Sequence, residues 1–393
     1  MVDRPQRIVM TLRLPDRTGA ARMALGYAKA FLRSGHEVTL LHGAPPAGAP
    51  SIVSDFAAIG ATTVRTRRME QPWNPLQAAD LTRHARSAGA TCVIGVNQRD
   101  RVPALVAARR LGVPGILMVQ NQHRFHGPAP LAAVKRAVYA RAVARLTTLA
   151  VCTSEVVRQE VLEQGLPAER TVVLPNGIDL EPFRVTLGDV ERAAVRDQLG
   201  GDPHRLLLLS VGRLDPQKGH DLLISALAGA PELAERVQVV IVGDGGGPDV
   251  PRRNQDYVRS LHDRVHHAGL EQTVRFAGWR DDVPALLGAA DGYVHAARWE
   301  GSSLAIMEAM AAGCPTVFTD CSGAPPHYRD GTDGIMVRTG DPDALRDGLR
   351  RLVELDPGRR AQMGASARQL AFAHFGVDAL GDRFVELVSA VLA

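Results

Sequence analysis

Cysteine is scarce in this chain and makes no recognisable pair: Cys92, Cys152, Cys314 and Cys321 are the only four, with no C-x-x-C spacing among them. That excludes a zinc ribbon and a disulfide scaffold, and it suits buried structural thiols in a reducing compartment. Aromatic residues are also few, 4% of the chain, yet the hydrophobic share is an ordinary 45%, so the bias toward Ala, Arg and Gly does not signal disorder. No stretch has the ~18 to 20 uninterrupted apolar residues that cross a bilayer, so membrane contact is limited to the surface. The opening residues, Met1 to Arg7, lack the apolar core and cleavage site of a secretory signal and read as the start of a cytoplasmic protein. Charge of one sign is lacking as well: 46 basic against 42 acidic side chains leave a net +4, too little to predict a nucleic-acid partner. A local anion site fits better.

A chain of 393 residues exceeds the size of a single core and predicts two domains. The apolar run Arg7–Leu14, a polar turn, a helix from Arg22 to Gly35 and the strand Glu37–His42 make a βαβ unit. Further apolar runs at Cys92–Val96, Gly115–Val119, Thr148–Cys152 and Thr171–Leu174 alternate with helical stretches, which implies a parallel sheet. Periodicity fades after Pro175-Asn176-Gly177-Ile178-Asp179, where a linker or a lead-in helix fits. A second series of strands starts at Leu206–Val211 and continues through Val237–Val242, Val274–Phe276, Gly292–His295 and Thr316–Phe318. The fold class is α/β: two Rossmann-like lobes facing a cleft, residues 1–182 on the acceptor side and 183–375 on the nucleotide side. A last helix within 376–393 returns toward the first lobe. No solenoid repeat is present.

Two segments carry chemistry. In Val211-Gly212-Arg213-Leu214-Asp215-Pro216-Gln217-Lys218-Gly219, a strand leads into a loop with two cations five residues apart. Arg supplies a planar fork and Lys a compact charge, a combination able to neutralise a departing phosphate. The bland alternative is a solvated βα loop; a Walker loop is excluded because Gly219 follows Lys218. In Arg298-Trp299-Glu300-Gly301-Ser302-Ser303-Leu304, a serine cap starts an apolar helix that Gly313 stops. Glu300 precedes this helix, where it can hold sugar hydroxyls. Glu308 lies within it, as a partner for ribose hydroxyls or as a salt-bridged structural acid.

Taken together, Gly19-Ala20-Ala21-Arg22, Pro175-Asn176-Gly177-Ile178-Asp179, Gly212–Gly219, Val242-Gly243-Asp244-Gly245, Phe276-Ala277-Gly278-Trp279 and the Glu300 to Glu308 element resemble the retaining glycosyltransferases of family four. The resemblance covers nearly the whole chain and implies the GT-B fold, a nucleoside diphosphate sugar as donor, an unidentified acceptor (small metabolite, lipid carrier or polysaccharide), and no metal or other cofactor. It implies Arg213 and Lys218 on the diphosphate, Glu300 near the transferred sugar and Glu308 on the ribose. Gly19, Gly212, Gly243, Ser302, Ser303 and Leu304 would surround the donor. Trp279 and Arg280 would flank the base, with lobe packing as the alternative for the aromatic. The family places a histidine at the end of a first-lobe strand against the donor sugar. Here that strand ends Val119-Gln120-Asn121-Gln122-His123, so His123 is the candidate, Gln120 or Asn121 the alternatives and His126 a weaker rival.

The chain departs from the family where Gly301-Ser302-Ser303 replaces Gly-Phe-Gly. Asp341-Pro342-Asp343 has the form of a metal-binding pair but suits a proline-initiated helix cap. Lys135, Arg136, Arg141 and Arg145 spread over more than half of one helix and form a solvated face rather than a lipid-binding one. Rival functions are a GT-B sugar-nucleotide epimerase and a non-enzymatic two-lobe sugar-binding protein. A nicotinamide dehydrogenase lacks its Gly-x-Gly-x-x-Gly.

Overall fold

The computed structural model describes residues 4–45, 51–71, 74, 76–122, 129–245 and 252–393. The chain divides into one unit of Met1–Gly177 with Val377–Ala393 and another of Ile178–Gly376. In the first unit, β1 (Arg7–Leu12), β2 (Glu37–His42), β3 (Thr62–Arg65), β4 (Cys92–Gly95), β5 (Gly115–Val119), β6 (Leu149–Cys152) and β7 (Thr171–Val173) form a seven-stranded sheet, order β3-β2-β1-β4-β5-β6-β7. In the second, β8 (Leu206–Val211), β9 (Val237–Val242), β10 (Val274–Gly278), β11 (Gly292–His295), β12 (Thr316–Thr319) and β13 (Ile335–Val337) are ordered β10-β9-β8-β11-β12-β13. The strand pairs of both sheets are parallel.

The sequence explains this directly. Parallel strands are covered on both faces, so they read as continuous apolar runs whose side chains alternate between two cores. In β8, Leu208 joins Val239, Ile241 and Val294 on one face, while Leu207 and Leu209 join Val240, Val242 and Tyr293 on the other. Strand β3 escaped sequence reading because Thr62–Arg65 is a half-exposed edge with little apolar signal; the three-residue strand β13 was also not read.

The faded stretch after Asp179 contains a lead-in helix, Asp189–Gln198. Residues 178–182, given above to the first lobe, belong to the second unit: Ile178 and Phe183 share a buried cluster with Phe375, and the Ile178 amide donates to the Phe375 carbonyl at 2.8 Å. The final helix, Val377–Leu392, belongs to the first unit. It packs on the helix Gly19–Arg33 through stacked Tyr27 and Phe384 rings, 4.0 Å apart, and through ion pairs from Arg33 to Asp378 and Asp382 at 2.5 and 2.8 Å.

In each sheet the strand order reverses once, between β1 and β4 and between β8 and β11. Loops leaving the carboxyl ends on either side of such a reversal run in opposite directions and leave a crevice where ligands bind in open α/β sheets.

Candidate functional site

Both segments singled out in the second half flank the β8/β11 reversal. Gly212–Gly219 follows β8, Ala296–Ser303 follows β11, and backbone contacts lock them together. The Arg298 amide donates to the Gln217 carbonyl at 2.8 Å. Gly219 has φ +65°, and a Cβ there would lie 2.0 Å from the Ala296 carbonyl oxygen, so only glycine lets the two loops approach. Arg298 then forks onto Asp221 at 2.8 and 2.7 Å and also donates to the Pro216 carbonyl at 3.0 Å.

Within this frame the Lys218 ammonium donates to Glu300 Oε1, with side-chain exposures of only 17% and 9%. Gln217 Nε2 donates to Oε2 at 3.3 Å, and His295 Nε2 lies 3.3 Å from Oε1. Burial pushes the Glu300 carboxyl up, but the Lys218 charge and His295 outweigh it and hold the group at about 2. Burial also lowers His295, with Lys218 adding to the effect, so the ring is neutral at pH 7. On its other side, His295 Nδ1 is in hydrogen-bond contact with the Tyr293 hydroxyl at 3.0 Å, and that hydroxyl also lies 3.4 Å from the Val211 carbonyl. Behind it, His220 is driven down to about 4 by burial, then by His295 and Lys218. The result is a fixed, ionised carboxylate beside a cation that still has N–H donors to offer.

The other expected donor residues divide as follows. Arg213 is 61% exposed and has Asp215 as its ion-pair partner at 3.0 Å, which keeps its fork at the surface. The Gly212 amide donates to the Val242 carbonyl at 2.9 Å. Gly243 sits at φ +141°, and a Cβ there would lie 2.0 Å from the Gly212 carbonyl oxygen, so the ends of β8 and β9 meet backbone to backbone. Trp279 is 59% exposed after β10, and Arg280 pairs with Asp282 at 2.8 and 2.5 Å. Leu304 begins the helix Leu304–Ala311; Ser302 is half-buried and Ser303 buried. The expectation of a serine cap is corrected: Ser303 occupies the cap position, but its side chain makes no cap bond. Glu308 is half-buried rather than enclosed, and close enough to Tyr293 that, after burial, it helps Glu300 raise the phenol.

Gly19 lies in the first unit, as the first residue of the helix Gly19–Arg33. His123 and His126 fall outside the described residues. Of the two alternatives, Gln120 buries a side-chain oxygen without a partner at the end of β5, whereas Asn121 accepts from the Gln122 amide at 2.8 Å. Asp341 caps the helix Pro342–Glu354, accepting from the Asp343 and Ala344 amides at 3.0 Å each. Among the described residues no group of three His, Cys, Asp or Glu side chains is placed to hold a metal. The four thiols are unpaired, and burial, reinforced by Glu300, pushes Cys321 up to about 12.

His295, Gln217 and His220 were missed. A signal for His295 existed: a polar residue ends the wholly buried run Gly292–His295 at a strand's carboxyl end.

Comparison with known families accounts for both units. The family described as Glycosyltransferase Family 4 matches residues 17–182, and Glycosyl transferases group 1 matches residues 191–370. The chain belongs to the family-four, group 1 glycosyltransferases. A D-inositol 3-phosphate glycosyltransferase of Geodermatophilus obscurus is 32% identical over 286 residues, 69% of this chain and 60% of the relative. A GDP-mannose-dependent alpha-(1-6)-phosphatidylinositol monomannoside mannosyltransferase of Mycobacterium tuberculosis is 29% identical over 231 residues, 56% of each chain. The chain thus spans about 60% of the length of the curated relatives it matches. Anabaena HepE, solved in complex with UDP, superposes with a TM-score of 0.82 over 98% of this chain and 100% of its own, at 24% identity. That likeness shows the fold: α/β, with two Rossmann-like parallel-sheet lobes of the GT-B class. Within this family-four chain no helix of the described residues is long and apolar enough to cross a membrane.

Proposed function

We propose that this chain transfers a sugar from a nucleoside diphosphate sugar to an acceptor hydroxyl, with retention of anomeric configuration, without a metal and in the cytoplasm. The observation that carries the reading is the Lys218–Glu300 pair at the β8/β11 reversal, with the exposed Arg213 fork on the same loop. Family membership and the names of the relatives support it, and none of those names points to epimerisation. As the bond from the anomeric carbon to the diphosphate breaks, its electrons go to the phosphate oxygen. Arg213 and the remaining Lys218 donors neutralise that growing charge, the role for which preorganised donors in a dry site are worth several kcal/mol. The backbone at Gly212 and Gly243 gives the phosphates close approach, Glu300 holds sugar hydroxyls, and Glu308 takes the ribose. Ser302, Ser303 and Leu304 present the amides of the helix start, while Trp279 and Arg280 flank the base. The acceptor oxygen attacks the face the diphosphate leaves, and its proton passes to the departing phosphate oxygen, so no side-chain base is required. In the first unit, taken by itself, the residues proposed to contact substrate are Gly19 and, after β5, Gln120 or His123. The names of the relatives favour a polyol acceptor.

The test is a calorimetric screen of uridine, guanosine, adenosine and thymidine diphosphates and their sugars, with and without magnesium. One nucleotide binds without metal and is lost in folded Lys218→Ala. Binding of none overturns the reading, and an inverted product anomer overturns the proposed stereochemistry.

A further inference from the structure

The second unit has another concavity, at the opposite end of its strands from the donor loops. It measures about 530 Å³ and lies where β8 and β11 begin, lined by Arg192, Arg196, Arg205, Arg236, Arg360 and His204 among others. With β8 six residues long and strands rising ~3.3 Å per residue, it sits about 20 Å from the Gly212 loop. Two of its guanidiniums are committed. Arg192 and Arg196 clamp Asp291 at 2.6 and 2.7 Å, and that carboxylate also accepts from the Leu207 amide at 2.8 Å. The other three are not saturated. Arg205 uses Nε on Asp202 and Nη1 on the Gln272 carbonyl; Arg236 uses Nη2 on the Val353 carbonyl; Arg360 uses Nη1 on the Leu355 carbonyl. Each guanidinium carries five N–H donors, so Arg205 Nη2, Arg236 Nε and Nη1, and Arg360 Nε and Nη2 have no acceptor among the described residues. Five arginines face Asp291, Glu354 and the neighbouring Asp202, which leaves two positive charges in excess.

We propose that this arginine-lined cavity is a second anion site, which takes a compact phosphate-type oxyanion of charge −2 or more. Such a ligand balances the excess charge and supplies several acceptor oxygens for the planar forks that three segments contribute to this lining. The site is independent of the donor assignment, since it uses none of the same residues.

Inorganic pyrophosphate is the probe, and calorimetry on the full chain is the measurement. Pyrophosphate also suits the donor loop, so the titration is run on Lys218→Ala, in which that loop is weakened. Binding persists there, falls at least tenfold when Arg205→Gln, Arg236→Gln and Arg360→Gln are combined, and weakens steeply with salt. The single exposed Arg236→Gln, which keeps the fold if the triple variant does not, weakens it three- to tenfold. Binding that vanishes in a folded Lys218→Ala protein, or that is unchanged in a folded Arg236→Gln, overturns the second site. Nucleoside diphosphate binding by the Arg236→Gln protein stays as in the parent, which separates the two sites.

Discussion

The two units carry the same strand reversal but equip it with opposite electrostatics. At the β8/β11 reversal the buried carboxylate of Glu300 meets Lys218, Gln217 and His295, and is held ionised at about 2. At the β1/β4 reversal the buried carboxyl is Asp100, one residue before the helix Arg101–Leu111. Its Oδ2 accepts from the Arg13 amide at 2.6 Å, while Oδ1, Arg13 Nε and Arg101 Nε are buried without partners. Burial dominates there and pushes Asp100 up to about 7, against the opposing pull of Arg13 and Arg101. One crevice is thus charged and preassembled, and the other keeps a carboxyl close to neutrality. A reversal in strand order provides a place for a ligand, but the partners of its buried acid determine what chemistry the place can perform.

The largest effect breaks the second unit's half of that comparison. Lys218→Ala leaves Glu300 as an uncompensated buried charge, which costs about 3–5 kcal/mol of stability. It also lowers the rate of sugar transfer by about 10²–10³, the size expected for one lost charge-stabilising donor. Pairing it with Glu300→Gln recovers most of the stability in urea unfolding but not the rate. A double variant as unstable as the single one would show that the ion pair is not the cause.

The next effect is read in pH. For Asp100 the folded value is raised from 3.8 to about 7, so its stabilising contribution is complete below the unfolded value and is lost as pH rises through about 7. For Glu300 the folded value is lowered from 4.5 to about 2, so its contribution is present above 4.5 and is lost as pH falls through about 2. Between pH 5 and 8 the Asp100 contribution falls by about 1–3 kcal/mol, against an opposite trend from His220 and His295, whose lowered folded values add stability as pH rises towards 6.5. Asp100→Asn, which keeps the acceptor for the Arg13 amide, removes the falling component of this slope and is the more stable protein at pH 8. Thermal unfolding as a function of pH checks it; an unchanged slope would assign the dependence elsewhere.

A smaller effect tests the residue that sequence reading passed over. Hydrogen bonds to a charged group are worth about 1.5–3 kcal/mol, so His295→Ala lowers kcat/KM by about ten- to a hundredfold. His295→Gln, whose side-chain amide can donate to Glu300, restores part of it. Equal losses in both would make the ring's packing, rather than its N–H, the important feature.

These two histidine and lysine cases mark what was legible in the sequence. Both sheets, the Gly212–Gly219 loop and Glu300 stood out, because apolar runs and glycine-cation loops are local patterns. That Lys218 and Glu300 touch was not legible, since 82 residues separate them and only the β8/β11 neighbour relation joins them. His295 was hidden for a related reason: a strand-end histidine declares nothing until the sheet shows which loop it faces. The serine cap failed because Ser303 has the right position and residue type but turns its side chain into buried surroundings. Asp100 offered no motif, as its character comes from burial alone.

The smallest effect concerns Trp279, exposed after β10 where the Gly278 carbonyl accepts from the Gly243 amide at 2.8 Å. The aromatic therefore stands beside the backbone proposed to receive the diphosphate, at the position expected to flank the base. A solvent-exposed side chain contributes little to folding, so Trp279→Ala changes stability by no more than about 0.5 kcal/mol. Stacking of a base on an aromatic ring is worth about 1–3 kcal/mol, and partial exposure favours the lower end, so nucleoside diphosphate affinity falls about fivefold. Inorganic pyrophosphate, which has no base, binds this variant as it binds the parent when both carry Arg236→Gln to weaken the second anion site. Comparing the two ligands separates base stacking from phosphate recognition within one crevice. Equal affinities of variant and parent for the nucleotide would return Trp279 to the surface and leave base recognition to the neighbouring backbone.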